Sequence, residues 1–124
     1  MINTGDIAAL APHLPADFHY ASQMVFDEIG SAAEFLAYMS GKLAAIAKSG
    51  VTVFAEMGVV GPAVRRTPAI WMERRPCVVL AQGDRERLVA LVLATVEDGV
   101  LRRLDLCAVL PCPQDAIRTG EYPA

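Results

Sequence analysis

Residues 87–107, RLVALVLATVEDGVLRRLDLC, constrain the fold more than any other stretch of the chain. Two apolar runs meet at Glu97-Asp98-Gly99, where a glycine supplies the positive φ that a tight hairpin turn needs. Residues 88–96 carry only Thr95 as a non-apolar exception, so this strand reads as covered on both faces. Residues 100–108 alternate in part, which predicts one covered face and one wetter face. The rest of the chain must pack around this hairpin.

A chain of 124 residues, 54% hydrophobic and 20% charged, is long and apolar enough for one globular core. We read 1–124 as a single domain, with 109–124 as an extended C-terminal tail. A net charge of −3 argues against nucleic acid and anionic membrane surfaces as partners. No apolar run approaches the ~20 residues of a membrane span, and residues 1–20 lack a basic segment followed by an apolar one. Cys77, Cys107 and Cys112 are odd in number and form no CxxC pair, which points to a reduced, cytoplasmic protein. His13 and His19 are the only histidines and no Cys/His cluster exists, so no metal or other cofactor is expected.

Along the chain, Asn3 or Thr4 is placed to cap a short helix that Pro12 and Pro15 must end. Asp17–Val25 is aromatic and β-prone, with His19, Ala21 and Gln23 on one face and Phe18, Tyr20, Ser22 and Met24 on the other. Ser31 followed by Glu34 forms a capping box that opens one long helix over 31–48, with Phe35, Met39, Leu43 and Ile46 as its core stripe. Glu34, Tyr38 and Lys42 form a second, more polar line, and Gly50 ends the helix. Residues 51–60 read as a strand with Glu56 as its only charge, 61–76 as a loop with a short strand near 68–74, and 77–82 as the next strand.

Three stretches then resemble the nuclear transport factor 2-like superfamily, the fold of ketosteroid isomerases and SnoaL-type polyketide cyclases. They are Gly5-Asp6-Ile7-Ala8-Ala9-Leu10 with Ala16-Asp17, Gly30-Ser31-Ala32-Ala33 through Tyr38, and Asp98-Gly99-Val100-Leu101. The resemblance spans about residues 5–108 and implies an α+β fold. In it a cone-shaped, curved, mainly antiparallel sheet wraps around one long helix and a short N-terminal helix, and leaves a small-molecule pocket on the concave side.

The residues that carry catalysis in those families are mostly missing. Gln23 stands where the isomerases have their general base, and an amide has no useful basicity near neutral pH. Residues 88–96 hold no carboxyl group where the oxyanion-hole acid belongs. Leu106 stands where cyclases and epoxide hydrolases place a late acid, with Asp105 turned to the opposite face, and 77–82 lack the hydrolases' Arg-x-Asp pair. Tyr38 alone matches a pocket tyrosine. The longer helix that lids the pocket in the family has only four residues of counterpart here, which leaves the pocket open, covered by the tail, or covered by a partner subunit.

His19, Gln23, Tyr38, Glu56 and Trp71 are the candidate ligand-binding residues, and no catalytic set is recognisable. Each has a plainer reading. His19 and Gln23 suit ordinary strand positions satisfied by neighbours, and Trp71 suits the core or an interface. Glu56 in an apolar strand needs either an arginine partner, with Arg74 or Arg103 as candidates, or a wet pocket. The arginines at 65, 66, 74, 75, 102 and 103 suit a solvated or interface surface, with an anionic ligand as the sharper option. The expected function is therefore a domain that binds a small hydrophobic molecule, and the alternative is a non-standard isomerase, cyclase or dehydratase using Glu56, His19 and Tyr38. A strand apolar on both faces leaves more apolar surface than one helix covers, so a homodimer through the sheet is also expected.

Overall fold

The computed structural model describes residues 1–24, 27–61 and 75–124. The strand expected near 68–74, Arg65, Arg66, Arg74 and Trp71 lie outside the described residues. Among the described residues the fold is α+β: one long helix, α1 (Ala32–Ser49), packs on a six-stranded sheet. The strands are β1 (His19–Ser22), β2 (Val53–Val60), β3 (Arg75–Gln82), β4 (Leu88–Glu97), β5 (Val100–Cys107) and β6 (Ile117–Arg118), in the order β1-β5-β4-β3-β2-β6. Only β1 and β5 run parallel; the other neighbours are antiparallel.

The central hairpin forms where it was expected. Asp98 and Gly99 both have positive φ, 52° and 75°, which is the two-residue turn whose twist suits flanking antiparallel strands. It brings Glu97 opposite Val100. Register shifts at Leu80/Ala81 and at Thr95/Val96 mark bulges, which bend the strands around the helix. The Ser31 hydroxyl accepts from the Glu34 N–H, and Gly50 closes α1 in the left-handed conformation with φ of 74°.

The N-terminal segment differs in detail from expectation. Two 3-10 turns, Ile7–Ala9 and Ala11–His13, stand in place of one α-helix, and Asp6 caps the first by accepting from the Ala8 N–H. Pro12 has no N–H to donate and its ring would clash with the carbonyl four residues back in an α-helix, so no continuous α-helix can run through it, while the start of a new turn accommodates it.

Period-two alternation divides the apolar side chains between two clusters. Phe18, Tyr20, Phe35, Met39, Ala55, Leu80, Ala90 and Leu106 form the cluster between α1 and the sheet. Its centre is aromatic, with the Phe35 ring 5.0 Å from Phe18 and 5.1 Å from Tyr20. Val60, Cys77, Val79, Leu91, Leu93 and Cys107 form the second cluster on the outer face, where Ala116 packs against them. β4 feeds both, with Ala90 inward and Leu91 and Leu93 outward, as the apolar run Leu88–Ala94 predicts. The outer cluster is buried within the single chain, so the bare surface that motivated a dimer through the sheet is already covered at these positions.

The free edge of β2 is taken up by the chain ends. β6 pairs with Gly58 and Val59. The Met57 N–H donates to the Glu121 carbonyl, and the Thr119 N–H to the Met57 carbonyl, at 2.8 and 3.0 Å. Asn3 brackets Ala55, donating to its carbonyl at 2.8 Å and accepting from its N–H at 2.7 Å. These bonds leave little edge for another strand to pair with.

Phe35 is fully buried at the aromatic centre. Phe35→Ala should therefore cost about 3–5 kcal/mol, read as a lowered midpoint in urea unfolding followed by circular dichroism. A loss under about 1 kcal/mol, the range of surface substitutions, would show that this cluster does not hold the helix to the sheet.

Candidate functional site

Between α1 and the inner face of the sheet lies a cavity of about 500 Å³, within the ~300–1,000 Å³ typical of small-molecule sites. Its wall is built by alternate residues of neighbouring strands: Val53 and Ala55 of β2, Val78 and Leu80 of β3, Ala90, Val92 and Ala94 of β4, and Leu104 and Leu106 of β5. From α1 come Phe35, Met39, Lys42 and Ile46, spaced four, three and four apart along one helical face. Met1, Ile2, Pro123 and Ala124 close one side, and the Met1 amino group donates to the Ala124 carbonyl at 2.6 Å.

Only three described wall residues carry polar side chains: Tyr20, Lys42 and Gln82. Lys42 and Gln82 are exposed, so they stand at the mouth. Tyr20 is buried, and its hydroxyl has no hydrogen-bond partner among the described residues. Burial first, and the neighbouring Tyr38 second, push its phenol up to about 12. It stays a neutral donor across the physiological range. No described wall residue contributes a carboxylate, imidazole or thiol side chain.

Of the residues expected at a ligand site, His19, Gln23, Tyr38 and Glu56 lie off the cavity wall, and Trp71 lies outside the described residues. His19 faces out from β1, with Nδ1 3.1 Å from Glu28 Oε2. Glu28 continues to Arg103 at 2.6 Å, and Arg103 to Asp105 at 2.9 Å, making a half-exposed polar chain across the β1–β5 edge. The Arg103 guanidinium, and after it His19, hold the Glu28 carboxyl below its ordinary value.

Gln23 is a clasp. Its side-chain oxygen accepts from the N–H groups of Ala108 and Val109, both at 2.8 Å, and its amide nitrogen donates to the Leu110 carbonyl at 2.7 Å. It pins the chain where it leaves β5. Tyr38 stands beside the cavity without lining it. Its ring lies 5.7 Å from that of Tyr20, and its hydroxyl accepts from Lys42 at 3.4 Å.

Glu56 is 5% exposed and points to the outer face, opposite to its neighbour Ala55 in the cavity wall. Its arginine is Arg118, which donates from Nε at 2.6 Å, in place of the expected Arg74 or Arg103. The Gly120 N–H at 2.7 Å and the Tyr122 hydroxyl at 3.3 Å complete the shell. Burial pushes this carboxyl up, but Arg118, Gly120 and Tyr122 outweigh it and hold it below its ordinary value. The rest of the Arg118 fork is also used, on Glu86 and on the Arg85 carbonyl, both at 2.8 Å. Arg85 in turn stacks over Tyr122 at 4.2 Å and Phe54 at 5.3 Å. The alternative catalytic trio is therefore not assembled: His19 on β1 and Glu56 on β2 are separated by three intervening strands.

Of the cavity's polar residues, the motifs indicated none. Tyr20 was legible as sharing a strand face with Phe18 and Met24, and Lys42 as lying near Tyr38, but only the packed structure shows that both reach a cavity.

No protein-family model matches the chain, and no curated protein matches it. Among solved structures it is similar to an NTF2-like protein of unknown function from Cytophaga hutchinsonii ATCC 33406. The two share 13% identity with a TM-score of 0.48, over 85% of this chain and 77% of the other. Among the described residues no helix is long and apolar enough to cross a membrane, and no group of three or more His, Cys, Asp or Glu is placed to hold a metal ion.

Arg118→Met should destabilise the fold by about 2 kcal/mol, less than the ~3–5 kcal/mol of breaking a fully buried pair, because Arg118 is partly exposed and Glu56 keeps two other donors. The folded-state value of Glu56 is depressed, so its contribution is complete above the ordinary 4.5 and fades as pH falls through the lower folded value. The melting-temperature gap between wild type and variant should be full at pH 7 and narrow below about pH 4.5. A gap independent of pH would rule out the carboxylate as the partner that matters.

Proposed function

We propose that this chain is a binding domain for a small hydrophobic molecule, held in the cavity between α1 and the sheet. The observation that carries the reading is the wall: a cavity of about 500 Å³ lined almost wholly by aliphatic and aromatic side chains, with Tyr20, Lys42 and Gln82 as its polar anchors. Apolar burial supplies affinity at about 0.8 kcal/mol for each methylene removed from water, while a few placed polar groups set orientation. General acid–base chemistry needs a group that ionises near the working pH and reaches the substrate. The described wall offers no carboxylate, imidazole or thiol side chain for that role, which favours binding over the isomerase, cyclase or dehydratase alternative. A reducing, cytoplasmic setting suits the three unpaired thiols.

The test is binding of a neutral amphiphile, 1-dodecanol, followed by the thermal transition and by intrinsic tyrosine fluorescence. A ligand at a hundred times its Kd should add about 2.7 kcal/mol to stability. Ala94 lines the cavity and is only half-buried, so Ala94→Phe should keep the fold while filling the site. It should abolish the stabilisation. Equal stabilisation of wild type and variant would place the ligand elsewhere and sink the reading.

A further inference from the structure

We infer that the cavity takes an amphiphile ending in a single carboxylate, with its chain along the sheet and its head on Lys42; this rests on the ligand-binding reading above. The α1 residues that line the cavity are Phe35, Met39, Lys42 and Ile46, so an exposed lysine joins three apolar side chains at its wall. Lys42 is the one charged side chain in the described wall. Its ammonium lies 3.4 Å from the Tyr38 hydroxyl and 5.5 Å from the Tyr38 ring centre, and no carboxylate among the described residues pairs with it.

The geometry suits a head group at the mouth. The lysine stem packs along the apolar wall while the ammonium stays at the water boundary, as long cationic side chains do. There it faces a ligand whose chain fills the dry interior. The Lys42 ammonium is a point charge with three donors, which matches a monoanion. A phosphate head would call for several cations or for the planar fork of an arginine, and the described wall has no arginine. Tyr38 holds the ammonium without neutralising it, so its charge remains available to the ligand.

The experiment titrates wild type, Lys42→Met and Lys42→Glu with laurate, 1-dodecanol and dodecyltrimethylammonium, each below its micellar concentration, by calorimetry in low and moderate salt. Lys42 is exposed, so both variants should fold. Wild type should bind laurate about tenfold more tightly than dodecanol, a preference that shrinks with salt. Lys42→Met should bind the two equally, and Lys42→Glu should favour the cationic amphiphile. Equal binding of laurate and dodecanol by wild type, or a preference that survives Lys42→Met, overturns the head-group assignment and leaves the cavity as a neutral-ligand site. Binding of none of the three by wild type overturns the cavity reading together with it.

Discussion

The Glu56–Arg118 pair ties the last part of the chain to the sheet, and both the outer core and the cavity wall depend on that tie. A carboxylate in the middle of an apolar strand loses most of its water, and an unpaired charge there would cost several kcal/mol. It therefore holds Arg118, Gly120 and Tyr122 around itself. With those residues fixed, Ala116 is set on the outer cluster, Thr119 and Glu121 bond to the β2 edge, and Pro123 and Ala124 reach round to the cavity. One ionic contact thus orders a segment that passes from one face of the sheet to the other.

The same strand separates structure from candidate function by its pleat. Ala55 and Glu56 are neighbours in sequence, yet one lines the cavity and the other anchors the tail. The separation keeps the buried charge out of the cavity and leaves the cavity wall apolar. Gly58 shows how closely the tail lies: a methyl group there would come within 3.0 Å of the Ile117 carbonyl and 3.1 Å of Val79. The position needs glycine because backbone crosses it at contact distance.

The polar residues divide likewise into those that hold the chain and those that face the cavity. Gln23 spends its amide on the turn after β5, and His19 sits in a surface chain with Glu28, Arg103 and Asp105. Tyr20 keeps a buried hydroxyl with no partner among the described residues, an arrangement that leaves a donor for something else to satisfy.

The sequence by itself determined the elements whose causes are local. The Asp98-Gly99 turn, the Ser31 cap and the Gly50 stop of α1, and the burial of Ala90, Leu91 and Leu93 on the two faces of β4 follow from backbone permissiveness, capping and alternation within a few residues of each site, while Val89 and Val96 of the same run stay exposed. Local pattern also showed that Glu56 needs a partner and that Phe35 and Met39 face inward. Tertiary structure alone decided who meets whom. Arg118 reaches Glu56 from 62 positions away, and Gln23 grips the chain 85 residues on, so neither contact leaves a trace in local spacing. The bulges that bend the sheet, the 3-10 form of the first turns and the placement of Lys42 in a cavity wall have the same origin. They depend on how completed elements pack, and packing is set by surfaces that do not exist until the chain has folded.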